Sequence, residues 1–543
     1  MTNQTKKRSF FKRIADFSSR SETDRFNAQK FAAINQQTKQ TSTEENRPVL
    51  VFNASTRLTR TSLNAAFAWL MAAGLRVQGI PTPFLVCRAG LQPCLLGTDK
   101  TDITAALPCR DCIRLSDQMY RGMETIPLRY QEDPVVFNEV EGLESEALLR
   151  YSYQDVPLGE LTTPSVRWIM RRHHLSGDET ALKLQRLYIL SAWSVYRQAK
   201  SWIETNQPRA IVVFNGLQYP EATVRWIGKS MGIPTFTHEI GLMPETAFFT
   251  EGEATATPIL LPDDFRMNEE RNNRLDQYLN DRMQGQFKTA GVQFWPDMMG
   301  LTPEFWALAR SFRQIVPVFT NVVFDTSQKH ANVLFESMFE WLDEVKKLAE
   351  QNSDTFFVIR AHPDEIRPGK ESLETVAEWV KTSQVTHLPN VLFIAPDQFF
   401  SSYDLIRISK FVMIYNSTIG LEAAAMGRPV LSAGKSRFTP YPISYFPDSK
   451  AAYLQLAQEL LTSVEWNTPA EFKENARRFL YYQFFHTALD FSAYISPDPV
   501  WNGYVRLKDF QAADLTPEKN ETMKILTQGI LTGSPFVLPA RES

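Results

Sequence analysis

Two hydroxyl side chains and a carboxylate surround the start of a predicted short helix. An apolar run, 411–415, predicts a buried strand that breaks at Asn416, Ser417 and Thr418, which can begin a helix. Backbone N–H groups and the helix dipole favour an anion there, so the turn predicts a phosphate site. A capping box would place its acid three residues after the cap, and Glu422 does not fit that spacing. We therefore expect the carboxylate of Glu422 to be free to accept hydrogen bonds from a ribose. The alternative is that Glu422 only complements the helix dipole.

A guanidinium and an imidazole follow another predicted strand, 356–360. Arg360 and His362 are two residues apart, so they project to the same side of an extended segment and could together bind a diphosphate. Pro363 keeps His362 in an extended conformation. The alternative is an ion pair between Arg360 and Glu365 beside a structural histidine. With the hydroxyl-rich turn elsewhere in the chain, we favour phosphate binding.

Three further positions that end predicted strands carry polar residues. Asn321 and Asp325 follow the strand 316–319, in a loop that either faces an anion or forms a plain Asx turn. Glu239 ends the strand predicted from Gly232, and its carboxylate is a candidate general base for an acceptor hydroxyl. His238 is the rival base. The alternative role of Glu239 is a structural ion pair.

All four cysteines of the chain lie within a stretch of 26 residues: Cys87, Cys94, Cys109 and Cys112. Thiolates clustered in this way could bind a structural zinc ion, although the first spacing is longer than usual for such sites. Free thiols in a packed loop are the alternative. Disulfides are disfavoured if the chain is cytoplasmic.

Several nucleotide-binding and metal-binding motifs are missing. The sequence has no Gly-x-Gly-x-x-Gly, and Gly434-Lys435-Ser436 resembles the end of a P-loop whose required earlier glycine is replaced by Pro429. It also has no Asp-x-Asp that could hold a metal-bound nucleotide sugar. The sequence therefore favours a metal-independent site that requires no cofactor, apart from the candidate structural zinc.

Composition indicates an ordinary globular protein of several domains. The chain has 543 residues with 43% hydrophobic and 22% charged residues, and its net charge of −3 argues against nucleic-acid binding. No apolar run approaches the roughly 20 residues of a membrane-spanning helix, and no signal peptide is visible. We therefore expect a cytoplasmic protein.

The polar N-terminal segment, 1–46, differs from the rest of the chain. Between Lys6 and Arg20 lie six basic residues and one acid. Apolar side chains recur in this stretch at helical spacing, at Phe10, Phe11, Ile14 and Phe17. The segment predicts either an unstructured tail or an amphipathic helix on an anionic membrane surface, which would attach the protein to the inner membrane face.

The order of predicted elements indicates an α/β fold with two Rossmann-like domains that face a cleft. Strands at 49–52, 84–87, 210–214 and 232–237, with a helix at 61–73 ended by Gly74, predict the first domain. The later strands predict the second domain, with a helix at 333–350. We expect a tail at 1–46, an N-terminal domain with a helical insertion at 47–255, a helical connector at 256–312, a second domain at 313–450 and C-terminal helices at 451–543.

These motifs together resemble bacterial capsule and surface-polysaccharide biosynthesis proteins of the GT-B glycosyltransferase type. The resemblance rests on Arg360-Ala361-His362-Pro363, on the run from Tyr415 to Ala423 and on Gly427-Arg428-Pro429-Val430. Retaining relatives that transfer Kdo share the His-Pro and Asn-Ser-Thr/Ser-x-Gly-x-Glu-Ala pattern. The similarity is good over 316–435 and thinner in the first domain.

The resemblance implies a nucleotide-sugar donor on the second domain and a polysaccharide or lipid-linked acceptor mainly on the first. It implies that Arg360, His362, Ser417 and Thr418 contact the donor phosphates and that Glu422 holds the ribose. Glu239 or His238 would be the base, and the C-terminal helices would pack back toward the first domain.

Three functional hypotheses follow from the sequence. The first is a glycosyltransferase that builds a surface polysaccharide or glycolipid. The second is a related GT-B enzyme, either a polyol-phosphate transferase or a sugar-nucleotide epimerase, which would release free sugar without an acceptor. The third is a non-catalytic scaffold that binds a nucleotide or polysaccharide.

Overall fold

The computed structural model describes residues 22–40, 46–54, 60–283 and 299–539, and the basic segment 6–20 lies outside these ranges. Apolar runs that end at polar turns form most of the strands. The strands are β1 (Val49–Phe52), β2 (Phe84–Cys87), β3 (Thr125–Leu128), β4 (Ala210–Phe214), β5 (Thr235–Ile240), β6 (Thr246–Glu251), β7 (Gln314–Phe319), β8 (Thr355–Arg360), β9 (Val391–Ile394), β10 (Val412–Ile414), β11 (Val430–Ser432), β12 (Leu489–Asp490), β13 (Ile495–Pro497) and β14 (Val505–Leu507).

Helices cover both faces of the sheets and connect the two α/β units. They are α1 (22–37), α2 (Leu63–Val77), α3 (Cys109–Met119), α4 (Pro134–Glu141), α5 (Ser145–Leu149), α6 (Leu158–Met170), α7 (Glu179–Asn206), α8 (Tyr219–Ser230), α9 (Glu269–Met283), α10 (Pro303–Ala309), α11 (Met338–Gln351), α12 (Val376–Ser383), α13 (Ser402–Ile408), α14 (Ile419–Ala425), α15 (Lys450–Thr462), α16 (Ala470–Phe485) and α17 (Glu521–Thr532).

The two main sheets share one parallel strand order. The first sheet runs β12-β6-β5-β4-β1-β2-β3 and the second β11-β10-β7-β8-β9. In the first sheet β1 lies between β2 and β4, and in the second sheet β7 lies between β8 and β10. All four of these pairs are parallel. This is the doubly wound order, in which loops diverge at the switch point beyond the carboxyl ends of the strands. The predicted α/β class with two Rossmann-like units is confirmed.

Antiparallel strands extend the first sheet, which the sequence analysis did not predict. β6 pairs with β5 and β12 pairs with β6, both antiparallel. β3 was also missed, because its run 125–128 includes a proline and half-exposed positions that do not resemble a buried strand. β5 has the predicted length of six residues but is shifted along the chain by three, to Thr235–Ile240, and β6 supplies its hydrogen-bonding partner up to Ile240.

Gly74 does not end its helix, contrary to the prediction. α2 continues to Val77, and almost every residue of it is buried between the first sheet and C-terminal elements. A Cβ atom at Gly74 would lie 2.9 Å from Sδ of Met523 on α17. The glycine therefore permits close packing between α2 and α17.

Part of the segment assigned to the polar tail belongs to the core. Phe31 and Ile34 of α1 are 1% exposed and pack in the core of the first unit, and Asn35 accepts a hydrogen bond from the indole of Trp69 at 3.0 Å. The tail prediction is therefore wrong for 22–37. Among the described residues, none of the helices combines the length and apolarity needed to cross a bilayer.

The C-terminal region is divided between the two units. α15 packs in the core of the second unit through Tyr453 and Leu460, and α16 packs against α14 and α9. The chain then returns to the first unit, where α17 packs on α2 and β12 joins the sheet. The expectation of helices alone is wrong, because β12, β13 and β14 are strands.

Candidate functional site

A cavity of about 520 Å³ lies between the two units, at the carboxyl ends of β7, β8, β10 and β11. Loops of the second unit form its polar wall, and the segment that follows β6 closes it from the first unit. The polar lining residues of the second unit are Asn321, Asp325, Ser327, Gln328, His330, His362, Asp364, Asn416, Ser417, Thr418, Glu422, Lys435, Ser436 and Arg437. A site beyond the carboxyl ends of parallel strands is where ligands bind in such folds.

Two predicted residues meet at the switch point of the second sheet. The backbone N–H of Asn416, after β10, donates to Oδ1 of Asn321, after β7, at 3.3 Å. The side chain of Gln328 donates to Oδ1 of Asn416 at 3.0 Å. These bonds join the loops of neighbouring strands, so the polar wall is held together by side chains that the sequence had placed on separate loops.

Ser417 and Thr418 line the cavity, but they do not cap α14 as predicted. The residue before the helix is Thr418, and its side chain makes no capping hydrogen bond. Thr418 has helical φ and ψ values, so its hydroxyl is not directed back at the backbone as a cap requires. Both residues therefore present their hydroxyl-bearing side chains at the cavity wall.

Glu422 lies in the cavity wall and is 3% exposed, but its carboxylate is not unpaired as expected. Nε of Arg282, on the connector helix α9, is 2.8 Å from Oε1. The hydroxyl of Tyr403 donates to Oε2 at 2.6 Å. Both partners come from segments distant in sequence, which is why spacing along the chain could not show them. Its role as a ribose ligand stays a prediction.

Arg360 and His362 do not act as a joint clamp in this structure. His362 lines the cavity, whereas the guanidinium of Arg360 is buried and donates to the carbonyl oxygen of Ala395 at 2.9 Å. Burial lowers the pKa of Arg360 to about 10. The Arg360–Glu365 ion pair is not among the ion pairs of the described residues either. A phosphate contact of Arg360 stays a prediction.

The imidazole of His362 is a neutral hydrogen-bond donor. Burial lowers its pKa, so the ring is uncharged at pH 7. The backbone N–H of Asp364 donates to Nδ1 at 3.1 Å. Because Nδ1 accepts this bond, the ring proton resides on Nε2, where it can be donated to an oxygen in the cavity.

Asp325 lies at the start of a short 3₁₀ helix in the loop after β7. Its Oδ1 accepts from the backbone N–H of Thr326, the next residue, at 2.8 Å. An Asx turn bonds to the N–H two residues on, so this bond does not form one. The same side chain lines the cavity, and a ligand contact stays a prediction.

The loop after β11 supplies a cation that sequence analysis missed. Arg437 lines the cavity, its Nε donates to the carbonyl of Thr257 at 3.1 Å, and its guanidinium lies 4.3 Å from the ring centre of Phe248. In the described part of the chain it forms no ion pair, and its Nη2 is buried without a hydrogen-bond partner. Burial lowers its pKa to about 10. A buried guanidinium without a carboxylate favours an anionic ligand.

A signal for this loop was present in the sequence. Gly434-Lys435-Ser436 resembles the end of a P-loop, and Lys435 and Ser436 do line the cavity. The motif follows β11, but Pro429 stands where a P-loop has its earlier glycine. A Cβ atom at Gly434 would lie 3.1 Å from the ring of Tyr415, so this glycine allows the loop to approach the neighbouring strand end.

Glu239 lies on the facing edge of the first unit, inside β5. Its Oε1 accepts from Nδ2 of Asn64 at 3.0 Å and its Oε2 from Nδ2 of Asn215 at 2.8 Å. Burial raises its pKa, these hydrogen bonds oppose the rise, and the charge of Asp325 from the second unit adds to it. No ion pair of Glu239 occurs among the described residues, so the structural alternative considered from sequence is not what the structure shows.

His238 is wrong as a candidate base. Its side chain is fully buried, stacks on the ring of Phe249 at a centroid distance of 5.2 Å, and lies 5.8 Å from that of Phe214. Neighbouring residues of a strand point to opposite faces, so the side chain of His238 points into the core and the side chain of Glu239 does not. Burial lowers its pKa to about 3, so it is a neutral core residue.

A charged cluster joins the two units beside the cavity. Glu253, after β6, lies 2.5 Å from Nη2 of Arg225 and 2.5 Å from Nε2 of His330, and 3.3 Å from Nζ of Lys329. Burial alone would raise the pKa of Glu253, but the bond to His330 and the charges of Lys329 and Arg225 outweigh it and lower the pKa to about 2. The cluster fixes the first unit against the loop that follows β7.

The four cysteines are free thiols, each partly exposed. In the ranges that the structure describes, no group of three or more His, Cys, Asp or Glu side chains is arranged to hold a metal ion. This geometry does not support the predicted zinc site at Cys87, Cys94, Cys109 and Cys112. Metal uptake by the thiols stays a prediction, which zinc content by elemental analysis decides.

Two doubly wound units facing a cleft define a two-domain α/β protein of GT-B-like fold. Residues 307–459 match the sequence model of the family described as capsule polysaccharide biosynthesis protein. The match covers the segment that contains Arg360, His362, Ser417 and Glu422, and it confirms the resemblance seen in the sequence. No curated protein sequence matches the chain.

Solved structures that the chain partly resembles include two transferases and an epimerase. The KpsC β-Kdo 2,4-transferase of Thermosulfurimonas dismutans has a TM-score of 0.34 and 10% identity over 55% of this chain and 84% of that one. The β-Kdo 2,7-transferase of the same organism gives 0.31 and 12%, over 57% and 85%. The UDP-GlcNAc 2-epimerase of Neisseria meningitidis gives 0.25 and 10%, over 80% and 98%. At these values the similarity does not extend to function.

Proposed function

We propose that this protein is a glycosyltransferase that moves a sugar from a nucleotide-sugar donor to a surface-polysaccharide or glycolipid acceptor. The observation that carries the proposal is the cavity at the strand ends of the second unit, which combines a neutral imidazole donor with a guanidinium that has no carboxylate partner in the described chain. A phosphate or diphosphate supplies an oxygen that accepts a hydrogen bond from the imidazole of His362. It also supplies the negative charge that pairs with the guanidinium of Arg437. The family match supports the biosynthetic class.

The proposed reaction assigns the leaving group to the second unit and the base to the first. The bond between the anomeric carbon and the phosphate oxygen breaks, and its electron pair stays on that oxygen. Nε2–H of His362 and the Arg437 guanidinium stabilise this charge, which is the main electrostatic requirement of the step. The acceptor oxygen bonds to the anomeric carbon, and its proton passes to Glu239.

The environment of Glu239 suits a general base. Burial and the Asp325 charge raise its pKa above the usual value of a glutamate, whereas its two carboxamide donors hold the carboxylate in one orientation. Asn64 lies in the first turn of α2 and Asn215 follows β4, so both come from the switch point of the first sheet. The acceptor would therefore enter from the first unit.

The proposal is tested by thermal-shift measurements with UDP, GDP, CDP, CMP and dTDP, each with magnesium and with EDTA. We expect stabilisation by one nucleotide that persists in EDTA, because the proposed site uses side chains in place of a metal. Stabilisation by none of them would contradict nucleotide binding. With the matching donor, a product assay must show acceptor-dependent transfer, and release of free sugar without acceptor would instead indicate an epimerase.

A further inference from the structure

The cavity has an apolar wall opposite the polar loops, and one face of α16 forms it. Phe479, Leu480, Gln483 and Phe484 line the cavity. Positions separated by three or four residues lie on the same side of a helix, so these four form one continuous strip. Three of them are apolar and at most 2% exposed, because they pack in the core beside the cavity.

Gln483 is the polar exception on this strip. The residue is 8% exposed and lines the cavity, and its backbone carbonyl accepts from the Thr487 hydroxyl at 2.9 Å. Within the described ranges no group hydrogen-bonds to its side-chain carboxamide. A buried amide without a partner is costly, and this amide can both donate and accept. Its polar atoms are therefore available to a ligand that presents an adjacent donor and acceptor.

The strip adjoins the Glu422 end of the site. α16 packs directly against α14, which carries Glu422, and Leu421 lines the same cavity. The ring of Phe484 lies 4.4 Å from that of Tyr278 on α9, the helix that also supplies Arg282 to Glu422. A nucleotide whose ribose reaches Glu422 would thus extend its base toward α16.

We infer that the α16 strip binds the nucleobase of the donor and that Gln483 determines which base is accepted. The hydrogen-bonding edge of the base pairs with the carboxamide of Gln483, at the point where the strip meets the cavity. A site with a buried amide rejects bases that leave the amide unpaired, which is a stronger discrimination than shape alone. This inference rests on the proposed function, because the phosphates and ribose are those of its donor.

The test is calorimetric titration of the wild type, Gln483→Ala and Gln483→Glu with UDP, CDP, GDP and ADP. We expect Gln483→Ala to bind the preferred nucleotide about 10- to 100-fold more weakly and to discriminate little among bases. Gln483→Glu can only accept while ionised, so its preference should move toward a base with adjacent N–H groups, such as guanine. Inorganic pyrophosphate should bind all three proteins equally.

Gln455→Ala is the matched control, because Gln455 is exposed on α15 and bonds to Glu459. It should keep the wild-type preference. Thermal unfolding without ligand checks that each variant is folded, and Gln483→Met supplies a second, shape-conserving substitution. If the wild type binds a nucleotide and every Gln483 variant keeps the same base preference, the inference about Gln483 is overturned but the proposed function is not. A wild type that binds no nucleotide would overturn the proposed function and this inference with it.

Discussion

Nε of Arg282 lies 2.8 Å from Oε1 of Glu422, so a helix of the connector pairs with the predicted ribose ligand of the second unit. The pair is largely buried, and Tyr403 occupies the other carboxylate oxygen. A ribose hydroxyl that bonds to Glu422 must share this carboxylate or replace one of its donors. The connector is thus part of the site and not only a link between the units.

Glu422→Gln should weaken nucleotide binding by about 10-fold without unfolding the protein, because a neutral amide accepts less strongly than a carboxylate. Glu422→Ala should also lower the free energy of unfolding by about 3 kcal/mol, because it leaves Arg282 buried without its counter-ion. Calorimetry and urea unfolding measure the two effects. Wild-type affinity in both variants would remove Glu422 from the binding site, and Glu459→Gln, at an exposed position of α15, is the control.

Glu239→Gln should leave donor binding intact and reduce kcat by at least about 100-fold, because an amide cannot take the acceptor proton. Steady-state kinetics measure the change in kcat, and calorimetry measures the affinity for the donor. His238→Phe serves as a control at the adjacent position, since the ring is in the core among aromatic side chains. Normal turnover of Glu239→Gln would eliminate Glu239 as the base.

Asn64→Ala should move the acidic limb of the pH–rate profile to higher pH by about one unit. The side chain donates to the ionised form of Glu239, so its removal raises the pKa of that carboxyl and leaves the base protonated over a wider range. Because the substitution is compatible with the first turn of α2, folding should be preserved. An unshifted profile would mean that the rate depends on another group.

Arg437→Gln should weaken binding of a nucleoside diphosphate by about 10- to 100-fold and leave binding of the nucleoside almost unchanged, since only the charged contact is lost. Affinity measured at several salt concentrations should also depend less on salt in the variant. Arg428→Gln is a comparison at a half-buried arginine of the same unit that does not line the cavity. Equal losses for nucleotide and nucleoside would indicate a general distortion of the cavity.

Glu253→Gln should destabilise the protein by about 3 kcal/mol at pH 7, the value that corresponds to a pKa lowered from 4.5 to about 2. A carboxyl with a lowered pKa stabilises the folded state above its unfolded pKa and loses this contribution as the pH falls toward 2. The difference between wild type and variant should therefore vanish between about pH 4.5 and pH 2. Urea unfolding at pH 7 and at pH 3 measures it, and a constant difference would contradict the assignment.

Local sequence was sufficient for most of the parallel strands, β3 excepted, and for the loops that carry polar residues. The runs at β1, β4 and β10 are apolar throughout, the interior of β8 (356–359) is apolar, and all four end at polar turns, which is the pattern of strands buried on both faces. Because parallel strands expose their carboxyl ends at one edge, Asn321, His362 and Ser417 could be predicted to share a site. The cavity brings these three together.

Side-chain direction and distant partners could not be predicted in the same way. The alternation rule placed Arg360 and His362 on one side, yet the guanidinium reaches the Ala395 carbonyl on the neighbouring loop. His238 and Glu239 looked equivalent as bases, and only the pairing of β5 with β6 shows which one enters the core. The C-terminal strands were missed because β12 contains two residues and depends on β6 for its pairing.

The sequence by itself determined the α/β class, the two doubly wound units and the phosphate-compatible turns, because these depend on periodicity and on residues close together in the chain. Only the tertiary structure decided that Arg282 pairs with Glu422, that Asn64 and Asn215 hold Glu239, and that Arg437 and Gln483 enter the cavity. These relationships join segments that are far apart in sequence. Their geometry follows from how the sheets and α16 pack, and local propensity carries no information about it.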